Sequence, residues 1–213
     1  MRLIRRRELL LAVALSGIAG FVDAIGFVHL GGYFLSFMSG NTTRMAAGTA
    51  QFHWDVVSVT AGLLAAFFAG VIAGAVTARF SAARAGVLWL VSAMMLFAAG
   101  LAQLHVETVG LAMMASAMGA MNSVFQRDGE VTVGLTYMTG TLVKAGQRLV
   151  DALAGGPRWL WLRYLILWLG LTVGAVLGAL AYRGLGIEVL WLAAALLTAV
   201  AAAVTLTLRR RQH

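Results

Sequence analysis

The sequence predicts an all-α membrane protein. Six transmembrane helices form an inverted three-plus-three repeat, and each half carries a broken re-entrant or interfacial segment. Three observations carry this reading. First, 61% of the 213 residues are apolar and only 11% are charged, where soluble domains carry roughly 25% charge. A soluble domain of this size needs more polar surface than that. The mean hydropathy of +0.89 also excludes a disordered chain. Second, six runs are long and apolar enough to cross about 30 Å of hydrocarbon. Third, the chain falls onto itself when shifted by about 100 residues. The expected organisation is one membrane domain over 1–213, with repeats at 8–105 and 107–209.

The runs are Leu9–Val28, Val56–Ala78, Gly86–Leu104, Thr108–Gln126, Trp159–Tyr182 and Glu188–Leu208. Ionisable residues within them are Asp23, Arg163 near the start of the fifth, and Glu188 at the edge of the sixth. Arg163 can snorkel to an interface, whereas the short Asp23 side chain cannot. Two further segments, Gly32–Ala50 and Gly134–Leu153, are mildly apolar and are interrupted by Ser39-Gly40-Asn41-Thr42-Thr43 and Thr139-Gly140-Thr141. Charge decides whether these are spans. With six spans and a cytoplasmic N-terminus, fourteen basic residues fall inside: Arg2, Arg5–Arg7, Arg79, Arg84, Arg127, Lys144, Arg148, Arg158, Arg163 and Arg209–Arg211. Only Arg44 and Arg183 fall outside. Eight spans would spoil that asymmetry, so six spans with both termini cytoplasmic is the expectation. The Arg5–Arg7 run before an apolar stretch resembles a signal peptide, but no small-residue cleavage site precedes a polar mature domain, so cleavage is not expected.

The repeat is carried by particular residues. Phe37-Met38-Ser39-Gly40-Asn41 falls on Tyr137-Met138-Thr139-Gly140-Thr141, and Arg44 falls on Lys144. Gly70-x-x-x-Gly74-Ala75-Val76 falls on Gly170-x-x-x-Gly174-Ala175-Val176. With small gaps, Gly20-x-x-Asp23 meets Gly119-x-x-Asn122, and Trp89 meets Trp191. Three crossings per half is an odd number, so the second half is expected upside down relative to the first. Inverted repeats of this kind recur in secondary transporters.

The broken segments hold the candidate site: Ser39, Gly40, Asn41 and Thr42 in the first, Thr139, Gly140 and Thr141 in the second. The glycines are expected to interrupt the backbone, and Ser39 or Asn41 and Thr139 or Thr141 to cap short helices behind them. Ten helical residues reach about 15 Å, half a bilayer. Capped N-termini at that depth would present free N–H groups to a small solute. The alternative is that both segments lie flat at the interface as amphipathic linkers. Asp23 is an intramembrane acid, which marks a functional site by default, and it is a candidate proton carrier; its repeat mate Asn122 is neutral. Its structural alternative is to cap the neighbouring helix or to pair with Arg44. Arg44 and Lys144 are candidate charge partners, and Lys144 also joins Arg148 as a topological signal. Gly70, Gly74, Gly170, Gly174 and Gly178 form stripes suited to close helix packing, within the chain or in a homodimer.

Other classes find no support. There are no cysteines, so disulfides and thiol chemistry are excluded. His29, His53, His105 and His213 lack metal-ligand spacing, and no phosphate loop or nucleophile elbow is present. No enzyme, metal or cofactor is therefore expected. The net charge of +8 sits between apolar runs, as topology requires, so nucleic acid is not an expected partner.

Gly17-x-x-Gly20-Phe21-x-Asp23-Ala24-x-Gly26-Phe27, followed by Phe37-Met38-Ser39-Gly40-Asn41-Thr42, resembles the YoaK-like bacterial membrane proteins. Those usually show Thr-Gly-Asn where this chain has Ser39-Gly40-Asn41, and serine keeps the hydroxyl. Met138-Thr139-Gly140-Thr141 is similar to the second motif of that family. The resemblance implies a multi-pass protein of the bacterial inner membrane and gives no substrate. The expected function is a small-solute transporter or channel with its site at the two polar breaks, coupled to protons through Asp23. A membrane-embedded scaffold without a pathway is the alternative.

Overall fold

The computed structural model describes residues 6–81, 84–127, 130–131, 134–136 and 138–210. Arg2, Arg5, Tyr137, Arg211 and His213, all named above, lie outside them. Apolar runs free of proline become long helices, and the punctuation between them sets the turns. The order is α1 (Arg6–His29), α2 (Met38–Ala50), α3 (Trp54–Phe80), α4 (Arg84–Gln103), α5 (Glu107–Met121), α6 (Met138–Leu153), α7 (Leu160–Leu185) and α8 (Val189–Arg209). A two-residue antiparallel ladder, β1 (Gln126–Arg127) with β2 (Glu130–Val131), joins α5 to the α6 loop. The α1 helix ends where Gly31 and Gly32 adopt positive φ, a region that suits a residue without Cβ. The α7 helix ends at Gly186, again at positive φ, and a 3₁₀ turn over Gly186–Glu188 leads into α8. The lone proline, Pro157, lies in the α6–α7 connection.

Among the described residues, five helical segments are long and apolar enough to cross a membrane. The fifth runs from Leu160 to Arg209 and holds 50 residues; at 1.5 Å per residue it would reach about 75 Å if straight, and the Gly186 turn divides it into α7 and α8. The expected runs Leu9–Val28, Val56–Ala78, Gly86–Leu104, Trp159–Tyr182 and Glu188–Leu208 thus fall within a few residues of α1, α3, α4, α7 and α8. The Thr108–Gln126 run is α-helical only to Met121 and finishes as a 3₁₀ turn over Asn122–Phe125.

The helices pack in an exchanging pattern. The α1–α7 contact has its counterpart in α5–α3, α2–α3 in α6–α7, and α4–α5 in α8–α1, while α4–α8 maps onto itself. Small residues let backbones meet. A Cβ added at Gly70 or Gly74 would strike the backbone of Ser116 or Ala120 on α5. One added at Gly174 or Gly178 would strike Gly17 or Phe21 on α1. Gly20 faces Leu171 and Ala175, as Gly119 faces Phe67 and Val71. All these contacts lie within one chain, so the stripes serve intramolecular packing.

They also correct the register. Gly70 and Gly74 are the counterparts of Gly174 and Gly178, not of Gly170 and Gly174. The shift is one helical turn. It enters because α6 and the loop behind it are longer than α2 and its three-residue turn. Gly170 packs on Val13.

The same contacts give helix directions. Gly17 meets Gly174 and Phe21 meets Gly178, so α1 and α7 run parallel; Gly70 with Ser116 and Gly74 with Ala120 make α3 and α5 parallel. Trp89 Nε1 donates to Thr205 Oγ1 at 3.1 Å, pairing the start of α4 with the end of α8. Arg84 pairs with Glu8 at 2.9 Å and lies over the Phe125 ring at 5.1 Å. The starts of α1 and α4 and the ends of α5 and α8 therefore share one end of the bundle. At the other end, His29 Nδ1 lies 2.8 Å from Tyr182 Oη, and its Nε2 is 4.0 Å from Glu107. The core between is apolar, with Leu15, Ile25, Leu88, Met95, Met114, Met118 and Leu197 sealed from solvent.

Candidate functional site

Asp23 sits in the last two turns of α1, facing the loop that enters α2. Its Oδ1 accepts from the backbone N–H groups of Leu35 and Ser36, both at 2.7 Å. Leu35 is fully buried against Gly26, where a Cβ would strike its side chain. Asn41 closes the loop from the other side. Its Oδ1 accepts from Phe34 N–H at 3.0 Å and its Nδ2 donates to Phe34 C=O at 2.7 Å. The amide of Asn41 is fully buried, and its donor and acceptor both meet one residue. The Phe27, Phe34 and Phe37 rings pack in series with centroids 4.9 and 5.2 Å apart, the first pair tilted and the second edge to face, and the last two cover Gly40. Arg44 donates to Gly32 C=O at 2.8 Å and lies 4.0 Å over the Tyr33 ring. The loop is thus fastened at Gly32, Phe34, Leu35 and Ser36.

The second half repeats part of this. Asn122 occupies the place of Asp23. Thr136 Oγ1 donates to Asn122 Oδ1 at 3.2 Å, and Asn122 Nδ2 donates to Met118 C=O at 3.1 Å. Ser36 and Thr136 are equivalent and both buried, as are Leu35 and Leu135. A carboxylate only accepts, so it can gather two loop amides; a carboxamide also donates, and it spends that donor on its own helix.

Three expectations change. Gly40 and Gly140 do not interrupt the backbone, because both lie in the first turn of a continuous helix. The break falls earlier, at Gly31–Gly32 in the first half. Side-chain capping at the start of α2 is replaced: the cap position is Phe37, without a side-chain cap bond, and Asn41 reaches back to Phe34 instead. No ion pair joins Asp23 to Arg44 among the described residues.

The remaining candidates lie outward. Ser39 and Thr42 are exposed on α2, and the Thr42 hydroxyl donates to Met38 C=O at 2.9 Å. Thr139, Gly140 and Lys144 are exposed on α6, and Thr141 is half-buried. Asp23 and Asn122 stand toward opposite ends of the bundle, one in each half. Two concavities stand out. The smaller, of about 10 Å³, lies beside His29, Glu107 and Leu190. The larger, of about 450 Å³, is an apolar groove along α1 and α7 at Val13, Gly17, Gly170 and Val173. Neither is lined by Asp23, Asn41 or Asn122. Among the described residues no cluster of three or more metal-ligating side chains occurs.

Sequence reasoning missed Ser36 and Thr136, although the shift of 100 already aligns Leu35-Ser36 with Leu135-Thr136. It also missed the His29–Tyr182–Glu107 group, which no local pattern joins.

Residues 11–203 match the family model described as "Protein of unknown function (DUF1275)". The chain belongs to this family. It is 36% identical over 211 residues to the UPF0700 transmembrane protein RA0705 of Rhizobium meliloti (strain 1021), with 94% of this chain and 90% of the relative covered. With a transmembrane relative and helices long and apolar enough to cross a bilayer, the chain is a transmembrane protein. No solved structure matches the chain.

Proposed function

We propose that the protein is a small-solute transporter or channel of the bacterial inner membrane. It crosses six times as an inverted three-plus-three repeat, with both termini cytoplasmic, and it carries no enzymatic activity. The observation that carries this reading is the pair of equivalent polar latches, Asp23 with Leu35 and Ser36, and Asn122 with Thr136. They stand toward opposite ends of the bundle, each tying the entry loop of a short helix to the span before it. A latch near each face is what alternating access requires, since one gate must hold while the other opens. Asp23 is the ionisable member, so proton coupling belongs to its side. The inversion is supported by the antiparallel α4 and α8 and by the exchanging contacts. Orientation is supported by charge: Arg6, Arg7, Arg79, Arg84, Arg158, Arg163, Arg209 and Arg210 fall at the end marked by Glu8 and Arg84.

A scaffold without a pathway is the second reading. Its support is that the polar groups within each latch satisfy one another and that neither concavity reaches them.

The test loads proteoliposomes with a pH-sensitive dye and offers pools of amino acids, sugars and organic acids under a proton gradient. The intact protein should change the internal pH with at least one pool. Asp23→Asn keeps an acceptor for Leu35 and Ser36 and removes the proton site, so it should abolish that change while the protein still folds. A response unaltered by Asp23→Asn would remove Asp23 from coupling, and no response to any pool would favour the scaffold.

A further inference from the structure

The α6 helix has three distinct sides. Met138 and Ala145, two turns apart, are buried and seat the helix on α7. Turning one way, Leu142, Val143, Leu149, Val150 and Leu153 are all exposed, with Val150 at 65% and Leu153 at 81%. Turning the other way, Lys144, Gln147 and Asp151 are exposed. At 100° per residue these flanks lie on opposite sides of the seat. Exposed bulky aliphatics on one flank and charge on the other is the arrangement of a helix lying along a bilayer boundary, its apolar flank among acyl chains and its polar flank at headgroup level.

The polar flank carries cationic groups free to act. Lys144 has no ion pair or hydrogen bond among the described residues. Arg158 is exposed in the following turn, and there only its backbone carbonyl is engaged, by Trp161 Nε1 at 3.0 Å. Beside it Trp159 is 71% exposed, as an aromatic at an interface would be. Arg148 is held by Asp151 at 2.9 Å. The counterpart helix α2 lacks this character. Its exposed positions are Ser39, Thr42, Thr43, Ala46, Ala47, Thr49 and Ala50, small residues with the threonine hydroxyls bonded to their own helix, and its one cation is folded onto Gly32 and Tyr33. Repeat geometry alone therefore does not explain the α6 surface.

We infer that the outer face of α6, with Lys144 and Arg158, binds the headgroups of anionic phospholipids. Charge complementarity selects the occupant, since the apolar flank alone fits any lipid while the two cations select the anionic ones. Each cation near an anionic surface is worth about fivefold in local enrichment. The inference needs no transport pathway.

The natural absence of cysteine makes the test local. A fluorophore is placed on Val150→Cys in the full chain, reconstituted in phosphatidylcholine vesicles with or without phosphatidylglycerol. Quenching is compared between nitroxide-headgroup phosphatidylglycerol and nitroxide-headgroup phosphatidylcholine. Quenching by the anionic lipid should exceed that by the zwitterionic lipid severalfold, and Lys144→Gln with Arg158→Gln should remove most of the excess. If that pair fails to fold, Arg158→Gln alone should remove about half. Arg183→Gln, at the other end, should change nothing. Equal quenching by the two lipids, or an excess untouched by these substitutions, overturns the inference. So does an excess abolished by millimolar glycerol phosphate, which would mark a site for free phosphate.

Discussion

At the end of α1 an acid gathers two loop amides, a buried carboxamide clamps Phe34, and an arginine folds back onto Gly32. At the end of α5 the same positions hold an amide that takes a hydroxyl, the half-buried Thr141 in place of Asn41, and the exposed Lys144 in place of Arg44. The helices around these loops pack alike in both halves. What differs is how the entry loop is fastened. In the first half Asp23, Asn41 and Arg44 all bond the backbone of the loop; in the second Asn122 takes the Thr136 side chain, and Lys144 is exposed. Backbone packing and polar chemistry have therefore diverged separately. The first is constrained by close approach of main chains, and the second only by the need to satisfy whatever is buried.

The largest expected effect tests the shared part. Leucine at Gly174 would have to occupy the backbone of Gly17, and leucine at Gly70 that of Ser116. Each should cost about 3 kcal/mol or more, the upper end for overpacking, because a main chain cannot move aside. Thermal melts of the full chain in detergent should show both losing stability to a similar degree. Gly62→Leu, which meets open space on α3, should lose nothing and gain roughly 0.5–1 kcal/mol from helix propensity. If Gly70→Leu is tolerated while Gly174→Leu is not, the two halves are unlike in packing as well.

The next effect tests the divergence. Asp23→Ala removes the acceptor of two loop N–H groups, at about 1–3 kcal/mol for each buried group left unpaired. Asn122→Ala strands one hydroxyl, which can rotate toward another acceptor, and should cost about 1 kcal/mol. Hydrogen exchange should localise the first loss to residues 30–41. Equal costs, or a first loss spread over the whole bundle, would mean that the two latches fasten their loops equally.

Part of this architecture was legible because bilayers impose long apolar runs and because the two halves of the sequence align at a shift of about 100. Span positions and the pairing of Asp23 with Asn122 came from those two facts. The register of α3 against α7 did not. Gly170, Gly174 and Gly178 offer two matches to Gly70 and Gly74, and only the distance between backbones on α1 and α5 chooses between them. The role of Gly40 was also hidden. A glycine beside an asparagine in an apolar segment reads as a break, whereas here two phenylalanine rings need its space. Capping failed for a related reason, since Asn41 was assigned to its own helix while its partner lay seven residues back, at Phe34.

The smallest effect has opposite signs in the two halves. Gly40 and Gly140 occupy equivalent places in the first turns of α2 and α6. A Cβ at Gly40 would come within 2.7 Å of the Phe37 ring and 2.9 Å of the Phe34 ring. These rings are packed on each other and on Phe27, so Gly40→Ala should destabilise by about 1–2 kcal/mol. At Gly140 a Cβ meets nothing within 4 Å. Gly140→Ala should therefore gain roughly 0.5–1 kcal/mol from helix propensity alone. Paired melts read the difference directly. Two losses of equal size would mean that α6 is covered as α2 is, and the contrast between a fastened loop and an open one would not hold.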